Sequence, residues 1–377
     1  MKNISRKDFF KKGVAAVAGT SILASACGDA DNDIASGHAP NIQTGKKHRW
    51  RMVTTWPPNF PILGEGCKLF ADWVEEMSGG RLQIQVYGGG ELVPPLEVFD
   101  AVQSGAAEMG NGAAYYWAGK IPAAPFFSSI PFGMNAQQMM GWLTAGGGLQ
   151  MWEELYAPFN LIPIVSGNTA VQMGGWFNKE INSIDDIKGL KMRIPGLGGQ
   201  VFSRAGGAAV QVAGGEIYTN LERGVIDATE WISPFHDYKL GFHKIAKYYY
   251  YPGWQEAGTA LETLINKAKF EQLPKDLQSI IRAASARQYQ YVISELETQN
   301  GIYLEKMIKE EGVDIRAFPE SVLTRFKELT DEVLADLISK SPEAQRIYEA
   351  YIGYKQRADL WASITEKIFY NRINISI

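Results

Sequence analysis

From Arg49 onward, short β-prone runs alternate with helical ones, and that alternation limits the folds open to this chain. Arg49–Trp56 alternates as a first strand, and Trp56-Pro57-Pro58 ends it. Ile62–Met77 places Leu69, Phe70, Trp73, Val74 and Met77 at helical spacing and stops at Gly79-Gly80. Arg81–Tyr87 carries Leu82, Ile84 and Val86 on one face as a second strand, followed by a turn at Gly88-Gly89-Gly90. A helix over Pro95–Ser104 and a strand over Ala107–Gly112 complete a βαβαβ order, which implies a parallel or mixed sheet.

A second α/β set follows. Ala136–Tyr156 reads as two short helices broken at Gly146-Gly147-Gly148, and Leu161–Ser166 and Ala170–Phe177 read as strands with Asn168 between them. Leu190–Ile194, Ala208–Val212 and Val225–Trp231 are further strands, and Tyr248–Tyr251 and Gly258–Ile265 carry the chain back. Crossings near 167 and 255, in about 330 ordered residues, predict two hinged lobes around a cleft. Beyond 266 the pattern is almost wholly helical. Pro274–Glu311 has an apolar stripe of Leu277, Ile280, Ile281, Ala284, Tyr291, Val292 and Leu296, interrupted at Gln288. Val313–Phe318 reads as a strand, and Ser321–Leu337 and Pro342–Tyr370 as helices. The last helix carries Tyr348, Tyr351, Ile352, Leu360, Trp361 and Ile364, which its own lobes or a second subunit must cover.

The N-terminus reads as an export signal. Lys2, Arg6, Lys7, Lys11 and Lys12 precede the short apolar run Gly13–Ala26, too short to span a bilayer. Ser5-Arg6-Lys7-Asp8-Phe9-Phe10-Lys11 resembles a twin-arginine motif, with lysine in place of the second arginine. Leu23-Ala24-Ser25-Ala26-Cys27 resembles a lipoprotein cleavage site with Leu23 one place early, so acylation of Cys27 and simple cleavage nearby both stand. Asp29–Lys47 reads as a polar tether.

Composition excludes several classes. Residues 1–26 hold five basic residues and one acid, so their removal takes the formal charge from −4 to −8. An acidic chain without basic clusters is a poor nucleic-acid binder. With Cys27 at the signal, Cys67 has no partner, which rules out a disulfide framework and makes Cys67 a buried small hydrophobe. The four histidines, His38, His48, His236 and His243, form no zinc spacing. Gly196-Leu197-Gly198-Gly199-Gln200-Val201 has valine where a dinucleotide fingerprint needs its third glycine, and no phosphate loop or nucleophile elbow is present.

What remains is recognition chemistry. Arg193 ends a strand, and its planar fork either grips a ligand carboxylate or pairs with a protein carboxylate. Glu230 ends another strand beside Trp231, and a half-buried carboxylate there needs a cation, a metal or hydrogen-bond donors. Gln172 and Gln255 lie near the two crossings and offer neutral oxygens, a set suited to a hard cation such as Ca²⁺ or Na⁺. Tyr115-Tyr116-Trp117, just past the third strand, either line a cleft or pack. A rival reading makes Glu230 a base with His236 in a secreted enzyme; a third makes the chain a sensor subunit.

Gly189-Leu190-Lys191-Met192-Arg193-Ile194-Pro195, the run Gly214–Ala228, and Gly88–Leu92 with Leu96–Gly105 resemble the solute-binding proteins of tripartite ATP-independent periplasmic (TRAP) transporters, of the DctP-like type. The resemblance covers roughly residues 49–340. It implies a two-lobe α/β periplasmic binding protein fold, type II-like, with long C-terminal helices, closing over an organic acid delivered to membrane subunits of a transporter. The implied division is signal 1–26, tether 27–47, lobe I at 48–167 and 257–340, lobe II at 168–256, and a C-terminal helix at 341–377. Asn168–Phe177 and Thr229-Glu230-Trp231 look more like the branch that binds 2-oxo and 2-hydroxy monocarboxylates, in which a metal ion bridges ligand and protein. That implies Arg193, Asn168, Tyr115 or Tyr116 on the ligand, and Gln172, Glu230, the Trp231 carbonyl and Gln255 on the cation. Trp176, Phe177 and Trp231 would bound the apolar tail. In that branch the long C-terminal helix joins two subunits.

Overall fold

The computed structural model describes residues 45–373, so the expected signal, Cys27 and most of the tether lie outside the described residues. Two sheets are present. The first has the order β2-β1-β3-β10-β4, from Leu82–Tyr87, His48–Thr54, Met109–Gly112, Ala260–Asn266 and Leu161–Asn168. Strand β1 runs parallel to β2 and β3, whereas β10 runs antiparallel to β3 and β4. The second has the order β11-β9-β5-β8-β6-β7, from Asp314–Ala317, Tyr248–Tyr251, Gly175–Phe177, Ala228–Thr229, Lys191–Arg193 and Ala208–Val210. Each sheet is thus mainly parallel with antiparallel members where the chain crosses over, as the α/β alternation requires.

The first lobe is built on large aromatics. Phe127 lies flat between Trp142 and Trp152, with ring centroids 5.4 and 5.3 Å away. The helix Leu63–Met77 buries Leu63, Cys67, Phe70 and Val74. Cys67 is fully buried as expected, and burial pushes its thiol up to about 12, so it is unreactive. The helix Lys275–Lys309 is 35 residues long, about 52 Å at the usual rise. It packs on β4, on Leu63–Met77 and on the short helix Pro234–Lys239, and so adds a third connection between the sheets. Gln288, the break in its stripe, is buried and donates from Nε2 to Cys67 Sγ at 3.7 Å.

Two expected strands are shorter than their β-prone sequence. In Ala170–Phe177 only Gly175–Phe177 pairs. Ala170 has φ of 57°, and its N–H is taken by Asn168 Oδ1 at 2.9 Å, which turns the chain instead of extending it. In Val225–Trp231 only Ala228–Thr229 pairs, because the N–H groups of Val225 and Ile226 bond to Asn220 O and close the preceding helix. Strand β11 joins the second sheet beside β9, although it lies within the 257–340 stretch expected in lobe I.

The crossings are laced together. Thr169 N–H donates to Thr259 O at 3.0 Å, Thr259 N–H to Thr169 Oγ1 at 3.1 Å, and Gln172 N–H to Glu256 O at 3.2 Å. A Cβ on Gly253 would collide with the Gln172 carbonyl, so only glycine allows this approach. At the C-terminus, Tyr351 packs on Trp142 at 5.1 Å and accepts the Met134 N–H at 2.8 Å, so the first half of helix Pro342–Ile364 is covered by its own lobe. Further along, Leu360, Trp361, Ile364 and Tyr370 are exposed. No helix among the described residues is long and apolar enough to cross a membrane.

Candidate functional site

Arg193 ends β6, in register with Thr229 on β8 and Val210 on β7, in the interior of the second sheet. Its guanidinium is almost wholly removed from water and must find partners. It makes an ion pair with Glu230 Oε1, donates from Nη1 to Glu230 O at 3.0 Å and from Nε to Val212 O at 3.5 Å, and lies 5.0 Å from the Trp231 ring. Glu230 N–H returns a bond to Arg193 O at 3.1 Å. The protein-carboxylate partner left open by the sequence is therefore Glu230. Among the described residues no acceptor takes Arg193 Nη2, so one edge of the fork is free.

Burial pushes the Glu230 carboxyl well above the usual range, against the pull of Arg193 beside it. Its second oxygen, Oε2, is buried without a partner. Gln255 neighbours this carboxyl, donates from Nε2 to Met173 O at 2.9 Å, and leaves Oε1 buried and unpartnered. Gln172 behaves likewise. Its Nε2 donates to Glu256 Oε2 at 2.7 Å and lies 3.0 and 3.3 Å from Thr169 and Thr259 Oγ1, while its Oε1 has no partner. Buried oxygens left bare are costly. The three, two from neutral amides and one from a carboxylate, are of the oxygen type that a hard cation takes. No cluster of three or more His, Cys, Asp and Glu side chains suited to a metal exists among the described residues.

Tyr115 and Tyr116 come from the first lobe and stand near enough to Arg193, Glu230 and Glu256 to feel their charges. Their rings meet edge to face at 4.8 Å, and Gly196, opening helix Gly196–Arg204, faces Tyr115 so closely that a Cβ would sit 3.1 Å away. Burial raises both hydroxyls' pKa values, and the charges of Arg193, Glu230 and Glu256 act on them. Asn168 ends β4, fully buried, with Nδ2 unpartnered. Trp56 and Phe60 of the first lobe meet the Trp231 ring edge-on at 6.4 and 6.0 Å, which makes a shared aromatic wall.

Other expected residues sit apart. Trp176 stacks on Tyr249 at 4.0 Å and gives its indole N–H to Asp237 Oδ2 at 3.0 Å. Phe177 points to the opposite face of the strand, against Tyr250 and Phe318, so Trp176 and Phe177 cannot bound the same tail. His236 does not pair with Glu230. It is fully buried, stacks on Phe60 at 4.6 Å, and its Nε2 meets Pro61 O at 2.9 Å, while burial pushes its pKa down to about 4. A base partner for Glu230 is thus missing from that histidine.

Buried carboxyls at Glu256 and Asp237, beside residues the sequence singles out, escaped the sequence reading. Glu256 accepts from Gln172 Nε2 and from Thr259 Oγ1, and burial raises it to about 7. Asp237 accepts from Trp176, Tyr249 and the Ile232 N–H, and burial raises it to about 6. Their neighbours Gln255 and His236 carried the sequence signal; Glu256 lies in an irregular segment without periodicity, and the six-residue helix Pro234–Lys239 is too short to show one.

The pattern of the DctP family, described as bacterial extracellular solute-binding protein, family 7, matches residues 52–341. A monocarboxylate 2-oxoacid-binding periplasmic protein of Nostoc sp. is 38% identical over 368 residues, covering 98% of each chain. Among solved structures, a TRAP periplasmic solute-binding protein of Pseudoalteromonas atlantica with bound sodium and pyruvate is 40% identical, with a TM-score of 0.85 over 87% of this chain and 99% of that one. One from Bordetella bronchiseptica, a mixed-occupancy dimer with copurified calcium and picolinate in one site and the other site apo, is 36% identical, with a TM-score of 0.85 over 87% and 97%. The two-lobed fold, the buried Arg193–Glu230 pair and these likenesses agree: the chain belongs to the DctP family of bacterial extracellular solute-binding proteins, the solute receptors of TRAP transporters.

Proposed function

We propose that the protein captures a small 2-oxo or 2-hydroxy monocarboxylate together with a hard cation, Ca²⁺ or Na⁺, and presents it to the membrane subunits of a TRAP transporter. The observation that carries this reading is the set of unpartnered buried oxygens, Gln172 Oε1, Glu230 Oε2 and Gln255 Oε1, beside the half-used fork of Arg193. Those three oxygens and the Trp231 carbonyl would hold the cation, whose charge would offset the carboxylates brought into a site without water. Arg193 Nη2 would take one ligand oxygen, and Asn168 Nδ2 and the hydroxyls of Tyr115 and Tyr116 would orient the rest. Trp231, backed by Trp56 and Phe60, would bound a short apolar tail. The cation-with-carboxylate ligands of the Pseudoalteromonas and Bordetella proteins have this chemistry.

The same reading makes the protein a receptor, not an enzyme, with the lobes hinging at the laced crossings near 168 and 256. It places the protein in the periplasm after export by the twin-arginine-like signal, either anchored through Cys27 or cleaved nearby. It also assigns the exposed Leu360, Trp361, Ile364 and Tyr370 to contact with a second copy. A thermal-shift screen of oxo-, hydroxy- and dicarboxylates, with and without cations, tests it. Stabilisation by pyruvate or lactate only with a cation is expected; stabilisation by dicarboxylates alone would replace it.

A further inference from the structure

We propose that Glu256 is a positioning residue that aims the Gln172 amide oxygen into the cation site. This rests on the reading of that site given above. A glutamine amide has two chemically opposite ends, and only its oxygen can serve a cation. Three acceptors surround the Gln172 nitrogen: Glu256 Oε2 at 2.7 Å, Thr169 Oγ1 at 3.0 Å and Thr259 Oγ1 at 3.3 Å.

The three do not constrain the amide equally. A hydroxyl rotates and can donate as well as accept, so Thr169 could serve a flipped amide by giving its proton to the amide oxygen, whereas Thr259 gives its proton to Glu256. An ionised carboxylate oxygen can only accept. With the amide flipped, ionised Glu256 would face a carbonyl oxygen at hydrogen-bond range, with no proton between them. Ionised Glu256 therefore decides which end of Gln172 points inward.

Glu256 is itself held in place. Its Oε2 accepts the Thr259 hydroxyl, its N–H donates to Gly253 O at 3.2 Å, and its carbonyl accepts the Gln172 N–H at 3.2 Å. Gln172 lies on the first crossing between the sheets and Glu256 on the second. A cation ligand on one crossing is thus aimed by a residue of the other, so its aim depends on the crossings being in register. Partners of this kind, one bond removed from a metal, typically change metal affinity by about 10- to 100-fold when replaced.

A double-mutant cycle on the full chain tests this, with calorimetric titration of Ca²⁺ at saturating pyruvate. Glu256→Gln keeps the shape but adds N–H donors that welcome a flipped Gln172. It should weaken Ca²⁺ by about 10- to 100-fold, and pyruvate affinity should recover at saturating Ca²⁺. In a Gln172→Ala background, with no amide to aim, Glu256→Gln should have little further effect. A purely structural role would lower thermal stability without that non-additivity. If Glu256→Gln does not fold, Thr259→Val, which frees the same carboxylate, should shift Ca²⁺ in the same direction by less. Equal effects of Glu256→Gln in both backgrounds, or none in the wild-type background, would overturn the positioning role alone. Absence of any cation binding by the wild type would overturn the site reading and this proposal together.

Discussion

Arg193 and Glu230 form an ion pair with almost no exposure, 1% and 0%, and the backbone of each also bonds to the other residue. A pair this deep gains little net stability, because desolvation offsets most of the attraction. Its value is that two opposite charges wait in a dry site, each with one unused edge. A cation and a carboxylate entering together would extend the pair into an array of four alternating charges, neutral with Na⁺ and carrying one net positive charge with Ca²⁺.

Arg193→Ala should therefore do two things at once. It removes the group that takes the ligand carboxylate, and it leaves Glu230 buried without its counter-charge, a loss of about 3–5 kcal/mol in stability. Calorimetry should show no carboxylate binding, and denaturant titration should show the destabilisation. Adding Glu230→Gln should restore much of the stability but no binding.

His236 gives the fold a pH dependence in acid. Its pKa is about 4 when buried against an ordinary value of 6.5, so the folded state favours the neutral ring. That contribution is full above pH 6.5 and is lost as pH falls towards 4, on the order of 3 kcal/mol in total. His236→Phe keeps the stack on Phe60 and removes the titration. The variant should lose less stability than wild type between pH 7 and 4.5, measured by thermal melts; parallel losses would refute this.

Glu262 acts in the opposite direction. It is buried in the first lobe, accepts Trp117 Nε1 at 2.6 Å, and burial raises it to about 8. Its neutral form suits the fold, so its contribution is complete below pH 4.5 and declines as pH rises through about 8. Glu262→Gln should melt at a higher temperature than wild type at pH 8.5, with the difference vanishing near pH 4.

Much of this was legible in the sequence because it rests on local pattern. Strand alternation and the glycine breaks placed most elements, and Arg193 and Glu230 stood out as charges at the ends of apolar strands. What was not legible depends on long-range pairing or on irregular chain. Nothing in Asp314–Ala317 says that it pairs with Tyr248–Tyr251 rather than with the first sheet. Trp176 and Phe177 are adjacent aromatics of equal appeal, but the pleat sends them to opposite faces. Glu256 sits next to Gln255 on a crossing without periodicity, so only the folded chain shows that it meets Gln172.

The most direct measurement is pyruvate titration by calorimetry of wild-type protein stripped with chelator and dialysed into choline buffer, repeated with added Ca²⁺ or Na⁺. The account predicts that one of these cations tightens pyruvate by about 5- to 150-fold, and that pyruvate tightens the cation by the same factor. Pyruvate affinity that is the same with and without either cation would contradict it.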